Sequence, residues 1–244
     1  MTRARRRNII RVQRTWTGLG LVGAISFIAG MTDAIGLRLS GDFVSFMTGN
    51  TTRAAIAMAD GDLHHGFVLL AAIFTFVAGN ALGIVVAHLV PRRIFGVLAC
   101  VSLLLALGAM MQAPALHLVR FYVVVLAMGM VNATVEHIEG LPIGLTYVTG
   151  ALSRLGRGIG RFLMGDRQLD WSIQLVPWLG MVSGAIIGAL LGIAMPQTAL
   201  IVAALLAMGV ALFSLRIRRA LHRRYNQRVI RPQAPHPARP PLRK

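Results

Sequence analysis

Two short stretches carry the side chains best suited to chemistry. The first, Gly41–Ala59, reads GDFVSFMTGNTTRAAIAMA and supplies Thr48, Gly49, Asn50, Thr51 and Arg53. It follows an apolar run that ends in Asp33. The second, Ile143–Arg161, reads IGLTYVTGALSRLGRGIGR, supplies Thr149, Gly150 and Arg154, and follows an apolar run that ends in Asn132. Both are too polar at their centres to be ordinary membrane spans. A helix broken at Thr48-Gly49-Asn50 frees backbone N–H and C=O groups, which in a bilayer must face protein or a wet cavity. Asn50 or Thr51 can cap a helix that resumes at Thr52. A helix start of that kind has a positive dipole end, suited to an anion or a polar group.

Arg53 and Arg154 fall at equivalent places, one turn into the resumed helices, where they can clamp an anionic solute. For Arg154 an anchoring role beside Arg157 and Arg161 on a basic membrane face is an equal alternative. Asp33 is an acid at a membrane depth where acids are costly, which makes it a proton or cation site. The plainer alternative is an interfacial residue that caps the next turn or pairs with Arg38 or Arg53.

Other polar groups offer less. Glu136, His137 and Glu139 are compact, but their spacing fits no zinc motif, and a solvated loop accounts for them. His64 and His65 beside Asp60 and Asp62 read as an exposed loop. The single Cys100 lies in an apolar run, so neither a disulfide framework nor a thiolate metal site is expected. The chain has no Gly-x-Ser-x-Gly elbow, phosphate-binding loop or dinucleotide fingerprint. No catalytic residue, cofactor or metal ion is therefore expected, and an intramembrane enzyme ranks third among the functional readings.

The elements that hold these residues are apolar. Of 244 residues, 56% are hydrophobic, and the mean hydropathy is +0.68. Soluble domains are nearer 45–50% apolar, so the composition points to the bilayer. A net charge of +17 would suit nucleic acid, but the basic residues sit at the ends of apolar runs and in two tails, so no nucleic-acid partner is expected. Spanning roughly 30 Å of hydrocarbon takes about 20 helical residues. Six runs qualify, near 16–35, 66–90, 94–112, 118–135, 172–194 and 199–215. The basic start precedes a full-length run without a convincing cleavage site, so it reads as the flank of an uncleaved first helix. With both termini in the cytoplasm and neither polar segment crossing, the opposite face keeps only Arg38, Arg53 and Arg120. The tail from Arg216 continues as a basic helix that can lie on anionic lipid head groups, then becomes Pro-rich and unable to build a core.

The polar stretches repeat. Thr48, Gly49 and Arg53 match Thr149, Gly150 and Arg154 at one offset, and Gly79-x-x-x-Gly83 matches Gly180-x-x-x-Gly184 at the same offset. Gly30-Met31-x-Asp33-Ala34 matches Gly129-Met130-x-Asn132-Ala133 two residues out of step. Each half reads as span, polar segment, span, span. Three spans per half is odd, so the second half is inverted. The expected fold is an all-α polytopic membrane protein of six helices in two inverted three-helix repeats, each with a broken or re-entrant segment. Its parts are a basic tail (1–15), a first repeat (16–112), a second repeat (113–215) and a basic, Pro-rich tail (216–244).

The run FVSFMTGNTTR, preceded by G-M-T-D-A-x-G, resembles the signature of the YoaK family of bacterial membrane proteins, catalogued as of unknown function. The second-half elements GMVNA and TYVTGALSRLG are similar to that family's pattern, and the likeness covers most of residues 18–215. It implies an integral protein of the bacterial inner membrane and brings no catalytic residues. Inverted repeats whose interrupted helices meet at the midplane are a transporter pattern. The leading expectation is a secondary transporter of a small polar or anionic solute, bound between the two polar segments. The alternative is a non-transporting scaffold or stress-related protein acting through its basic tail.

Overall fold

The computed structural model describes residues 3–134, 137–138, 141–142, 148–166 and 170–216, with side chains over 17–134, 148–166 and 171–216. The described chain forms helices α1 (Arg3–Ser40), α2 (Met47–Ala59), α3 (Leu63–Leu89), α4 (Arg93–Met110), α5 (His117–Val131), α6 (Val148–Leu163), α7 (Leu175–Ala194) and α8 (Ala199–Ser214). A two-residue antiparallel ladder, His137 with Pro142 and Ile138 with Leu141, leaves the fold all-α. The C-terminal tail expected beyond Arg216, and Glu136 and Glu139, lie outside the described residues.

All six apolar runs are helical, because a bilayer leaves backbone groups no other local way to pair. Five are long and apolar enough to cross a membrane, and α8, with 16 residues, is shorter. Pro91 falls in the turn between α3 and α4, and Pro196 in the turn between α7 and α8. Pro177 sits in the first turn of α7, where no intrahelical N–H bond is lost. One boundary differs from expectation. Helix α1 does not stop near Ile35 but runs on to Ser40, so Asp33 lies about two turns inside it.

Helix α1 is the most enclosed span and α7 the least. Phe67 and Phe74 of α3 and Ile186, Leu190 and Ile193 of α7 are exposed, as side chains facing lipid must be. Between helices in lipid there is little hydrophobic drive, so close backbone approach through small residues holds them together. Helix α1 packs along α7 and α3 along α5. A Cβ on Gly180, Gly184 or Gly188 would strike the carbonyl oxygens of Gly23, Phe27 and Met31 in turn. On the other pair, a Cβ on Gly79 or Gly83 would strike the carbonyls of Leu126 and Met130. Both sets of contacts climb in step, so both pairs run parallel. Gly83 and Gly79 thus take the places of Gly188 and Gly184, one turn later than the match to Gly184 and Gly180 expected from sequence.

Helices α4 and α8 run antiparallel. Arg92 Nη1 donates to Leu215 O (2.7 Å), Ser102 Oγ to Ala204 O (2.7 Å) and Gln112 Nε2 to Gln197 O (3.4 Å). The end of α1 meets the start of α5 through His117 Nε2 and Leu39 O, 2.9 Å apart. These directions give the bundle two ends. One gathers the end of α1, the starts of α3 and α5 and the turn between α7 and α8. The other gathers the turn between α3 and α4, the end of α5, the start of α7 and the end of α8. Helices α1 and α3 are antiparallel, so α2 leaves and re-enters the same end. By the same argument α6 belongs to the opposite end.

Candidate functional site

The first polar stretch folds around the loop 41–46. Gly41, at φ +78°, turns the chain out of α1 in the left-handed region. Gly36 leaves the gap that Val44 fills. Asp33, 7% exposed, then reaches the loop from within α1: its Oδ1 accepts the N–H groups of Val44 (2.8 Å) and Ser45 (2.9 Å). Asn50, fully buried, grips the same loop from α2: its Oδ1 accepts Phe43 N–H (3.2 Å) and its Nδ2 donates to Phe43 O (2.6 Å). Gly49 lies against the rings of Phe43 and Phe46, which meet edge to face at 5.3 Å between centroids.

Two expectations are corrected by this geometry. Helix α2 starts at Met47, so Thr48-Gly49-Asn50 is its first turn and the break lies earlier, at 41–46. Asn50 therefore pins the loop instead of capping a helix at Thr52. The positive end of α2 is also filled from inside the protein. The Asp33 carboxylate sits on the N–H groups just before the helix, where a solute anion was expected, because a carboxylate held there gains charge-assisted bonds and the helix dipole.

The ion pair foreseen for Asp33 forms elsewhere. Arg53 Nη2 lies 3.0 Å from Asp42 Oδ1, and His65 Nε2 lies 3.4 Å from the same oxygen. Asp42 is buried while Arg53 is 43% exposed, so this contact closes the outer rim of the loop. Asp62 caps α3 by accepting His65 N–H (3.0 Å), which makes the acid-histidine stretch a structured helix start and not a bare loop. Thr48, Thr51 and Thr52 are exposed, and the hydroxyls of Thr51 and Thr52 turn back to the carbonyls of Met47 and Thr48.

The second stretch builds a different contact. In α6, Gly150 is buried and Thr149 exposed. Arg154 Nε donates to Gln174 Oε1 (2.9 Å), in the 3-10 turn Asp170–Gln174 ahead of α7. Gly158 abuts Trp171, whose ring meets Phe162 edge to face at 6.1 Å. Asn132, just past α5, is also partnered. Both polar helices end alike: Gly61 (φ +88°) follows α2 and Gly165 (φ +105°) follows α6. Asp62 N–H then returns to Ala57 O (2.8 Å), as Asp166 N–H returns to Arg161 O (3.1 Å).

The structure thus brings Asp33, Gly49, Asn50 and Arg53 together around one loop, with Thr48 and Thr51 on its outer side. Thr149, Gly150 and Arg154 stand with Gln174 and Trp171 at the other end. Helix α2 packs on α3, and α6 packs on α7 and the 3-10 turn. The expected meeting of the two segments at the midplane is not what this arrangement provides. Residues not foreseen are Asp42, His65, Gln174 and Arg120. Arg120 did carry a signal, as a lone basic residue inside an apolar run on the less basic face.

Comparison with known proteins agrees with a membrane protein. A family model described as Protein of unknown function (DUF1275) matches residues 21–213. A UPF0700 transmembrane protein of Rhizobium meliloti (strain 1021) is 53% identical over 192 residues, covering 78% of this chain and 83% of that protein. No solved structure matches significantly. With its helices of spanning length, the chain is a multi-pass membrane protein.

Proposed function

The chain belongs to the family described as Protein of unknown function (DUF1275), and on that footing we propose that it is a secondary transporter of a small polar or anionic solute, built from two inverted repeats. One observation carries this reading. Each half lends its first span to the other half's second: α1 to α7, and α5 to α3. The glycine contacts on both sides share one pattern, in which Phe27 and Met31 stand to Gly184 and Gly188 as Leu126 and Met130 stand to Gly79 and Gly83. Interleaved repeats of this kind suit alternating access, in which one end opens as the other closes.

The two polar helices act in this scheme as gates at opposite ends. Thr48, Thr51 and Arg53, held by Gly49, Asn50 and Asp33, face solute at one end. Thr149 and Arg154, with Gly150 and Asn132 behind them, do so at the other. The end that carries Arg92, Arg154, Arg157 and Arg161 is cytoplasmic, in the bacterial inner membrane, by the positive-inside rule. The basic tails lie against anionic lipid.

The test is untargeted solute uptake into proteoliposomes holding the purified protein, with and without a pH gradient. A polar solute should be depleted from the medium, and Arg53→Gln should slow its uptake at unchanged protein content. Failure to take up any solute by folded protein would favour the second reading, a non-transporting scaffold. That reading draws on the packed interior, where Ile25, Ile28, Met31, Leu98, Leu105 and Met128 are all under 2% exposed.

A further inference from the structure

Arg120 lies in the second turn of α5, and two of its three guanidinium nitrogens have no acceptor among the described residues. Both Nε and Nη2 are shut off from the surroundings without a hydrogen-bond partner. No carboxylate among the described residues comes within 4.0 Å of it, since the ion pairs there are those of Asp42. An arginine one turn from a helix end usually reaches outward along its stem to water or head groups. Arg120 does the opposite with two of its three nitrogens. The acceptors beside it already have donors: Gly36 O takes Ser40 Oγ (2.8 Å), and Leu39 O takes His117. Another half-buried arginine of the bundle shows what is missing, because Arg92 spends its Nη1 on Leu215 O.

The fold does not require a cation at this point. In the matching register of α1, the place of Arg120 is held by Leu21, which is buried and apolar. A buried guanidinium without a partner is costly, and a compensating negative charge or lone pair is what removes the cost. Room for one exists. A cavity of about 20 Å³ lies beside Arg120, walled by Gly36 and Ser40 of α1, Val44 of the loop, His117 and Phe121 of α5 and Leu200 of α8. A water needs about 10–15 Å³ measured this way, so the space beside Arg120 admits one small species.

We propose that Arg120 and this cavity form a binding site for a small inorganic monovalent anion of the size of chloride, at the junction of α1, α5 and α8. The guanidinium supplies the charge and, once its side chain turns toward the cavity, N–H donors, and the largely apolar walls strengthen the attraction by limiting the water around the ion. Because the wall includes Val44, the ion also ties α5 and α8 to the loop that Asp33 holds. The site is one of binding and stands whether or not the protein transports anything.

The test uses the full-length protein in a neutral detergent. Its thermal unfolding is tracked while chloride replaces gluconate, an anion too large for the cavity, at constant ionic strength. Chloride should raise the melting temperature along a saturating curve. Arg120→Gln should abolish the rise, and Arg120→Lys should keep a weaker one. Chloride-35 line broadening by the unaltered protein, reversed by bromide, reads the same site without any substitution. Equal melting in chloride and gluconate would overturn the proposal, since a water in the cavity gives no ion dependence. A saturating rise that persists in Arg120→Gln, or an absence of bromide-reversible broadening, would overturn it as well.

Discussion

At the scale of single residues, the carboxylates of Asp33 and Asp42 differ in what their loss leaves behind. Asp33 serves two backbone N–H groups of a buried loop, and neither has water to turn to. Asp33→Ala should cost about 1–3 kcal/mol for each orphaned donor. Asp33→Asn keeps an oxygen at the same place and should lose much less. Thermal unfolding of the two purified variants checks this, and equal losses would show that the bonds to Val44 and Ser45 do not hold the loop. In the pair of Asp42 with Arg53 the arginine is half open to the surroundings, and a glutamine in its place keeps an N–H donor for the buried Asp42 Oδ1. Arg53→Gln should lower stability by less than about 1 kcal/mol, measured the same way. That difference makes Arg53 the better probe of function: a variant that folds normally and fails in uptake isolates a solute-facing role. The sequence showed Asp33, Asn50 and Arg53 as a polar group but not their partners. Pairing by charge favoured Asp33 with Arg53, whereas the N–H groups that Asp33 in fact serves belong to Val44 and Ser45, whose side chains give no hint of it.

At the scale of helices, glycine decides which faces can meet. Gly184 sits against the backbone of Phe27, and any Cβ there meets the Phe27 carbonyl. Gly209 of α8 has nothing within 4 Å of such a Cβ. Gly184→Ala should destabilise by about 1–3 kcal/mol through overpacking. Gly209→Ala should be neutral or stabilising by up to about 1 kcal/mol, since alanine is the better helix former. A comparison of melting temperatures in detergent separates the two, and a harmless Gly184→Ala would mean that α1 and α7 are not in backbone contact. The helices themselves were plain from hydropathy, because about twenty apolar residues in a row have few other fates. The glycine register was legible only to within one turn. The match of Gly79 and Gly83 to Gly180 and Gly184 continued the offset of Thr48 and Thr149. But α6, with 16 residues against 13 in α2, displaces α7 further along the chain. The parallel pairing of α1 with α7 also needs contacts between distant segments, which one sequence does not display.

At the scale of the whole molecule, the helix directions make sidedness a firm consequence of packing. Asp60, after α2, belongs to the end that also holds Gln112 and Gln197, which hydrogen-bond to each other across α4 and α8. Pro91 and Arg216 belong to the opposite end, where Arg92 reaches the last turn of α8. Arg157 of α6 joins them, because α5 runs parallel to α3 and so finishes at the end where α3 gives way to α4. In a background of Cys100→Ser, which removes the chain's single thiol, cysteine is placed singly at 60, 91, 112, 157, 197 and 216. A membrane-impermeant maleimide applied to intact cells should label 60, 112 and 197 and leave 91, 157 and 216 untouched. In inverted vesicles the pattern should reverse. The arrangement of basic residues sets which group is outside, while packing alone sets which positions belong together, so the two claims fail separately. If the groups hold but the sides are exchanged, the cytoplasmic assignment is wrong and the bundle stands. If 60 labels with 91, α3 does not cross. If 157 labels with 112, α5 does not cross. In either case one half would be left with two crossings against three in the other, so the halves could not be inverted copies.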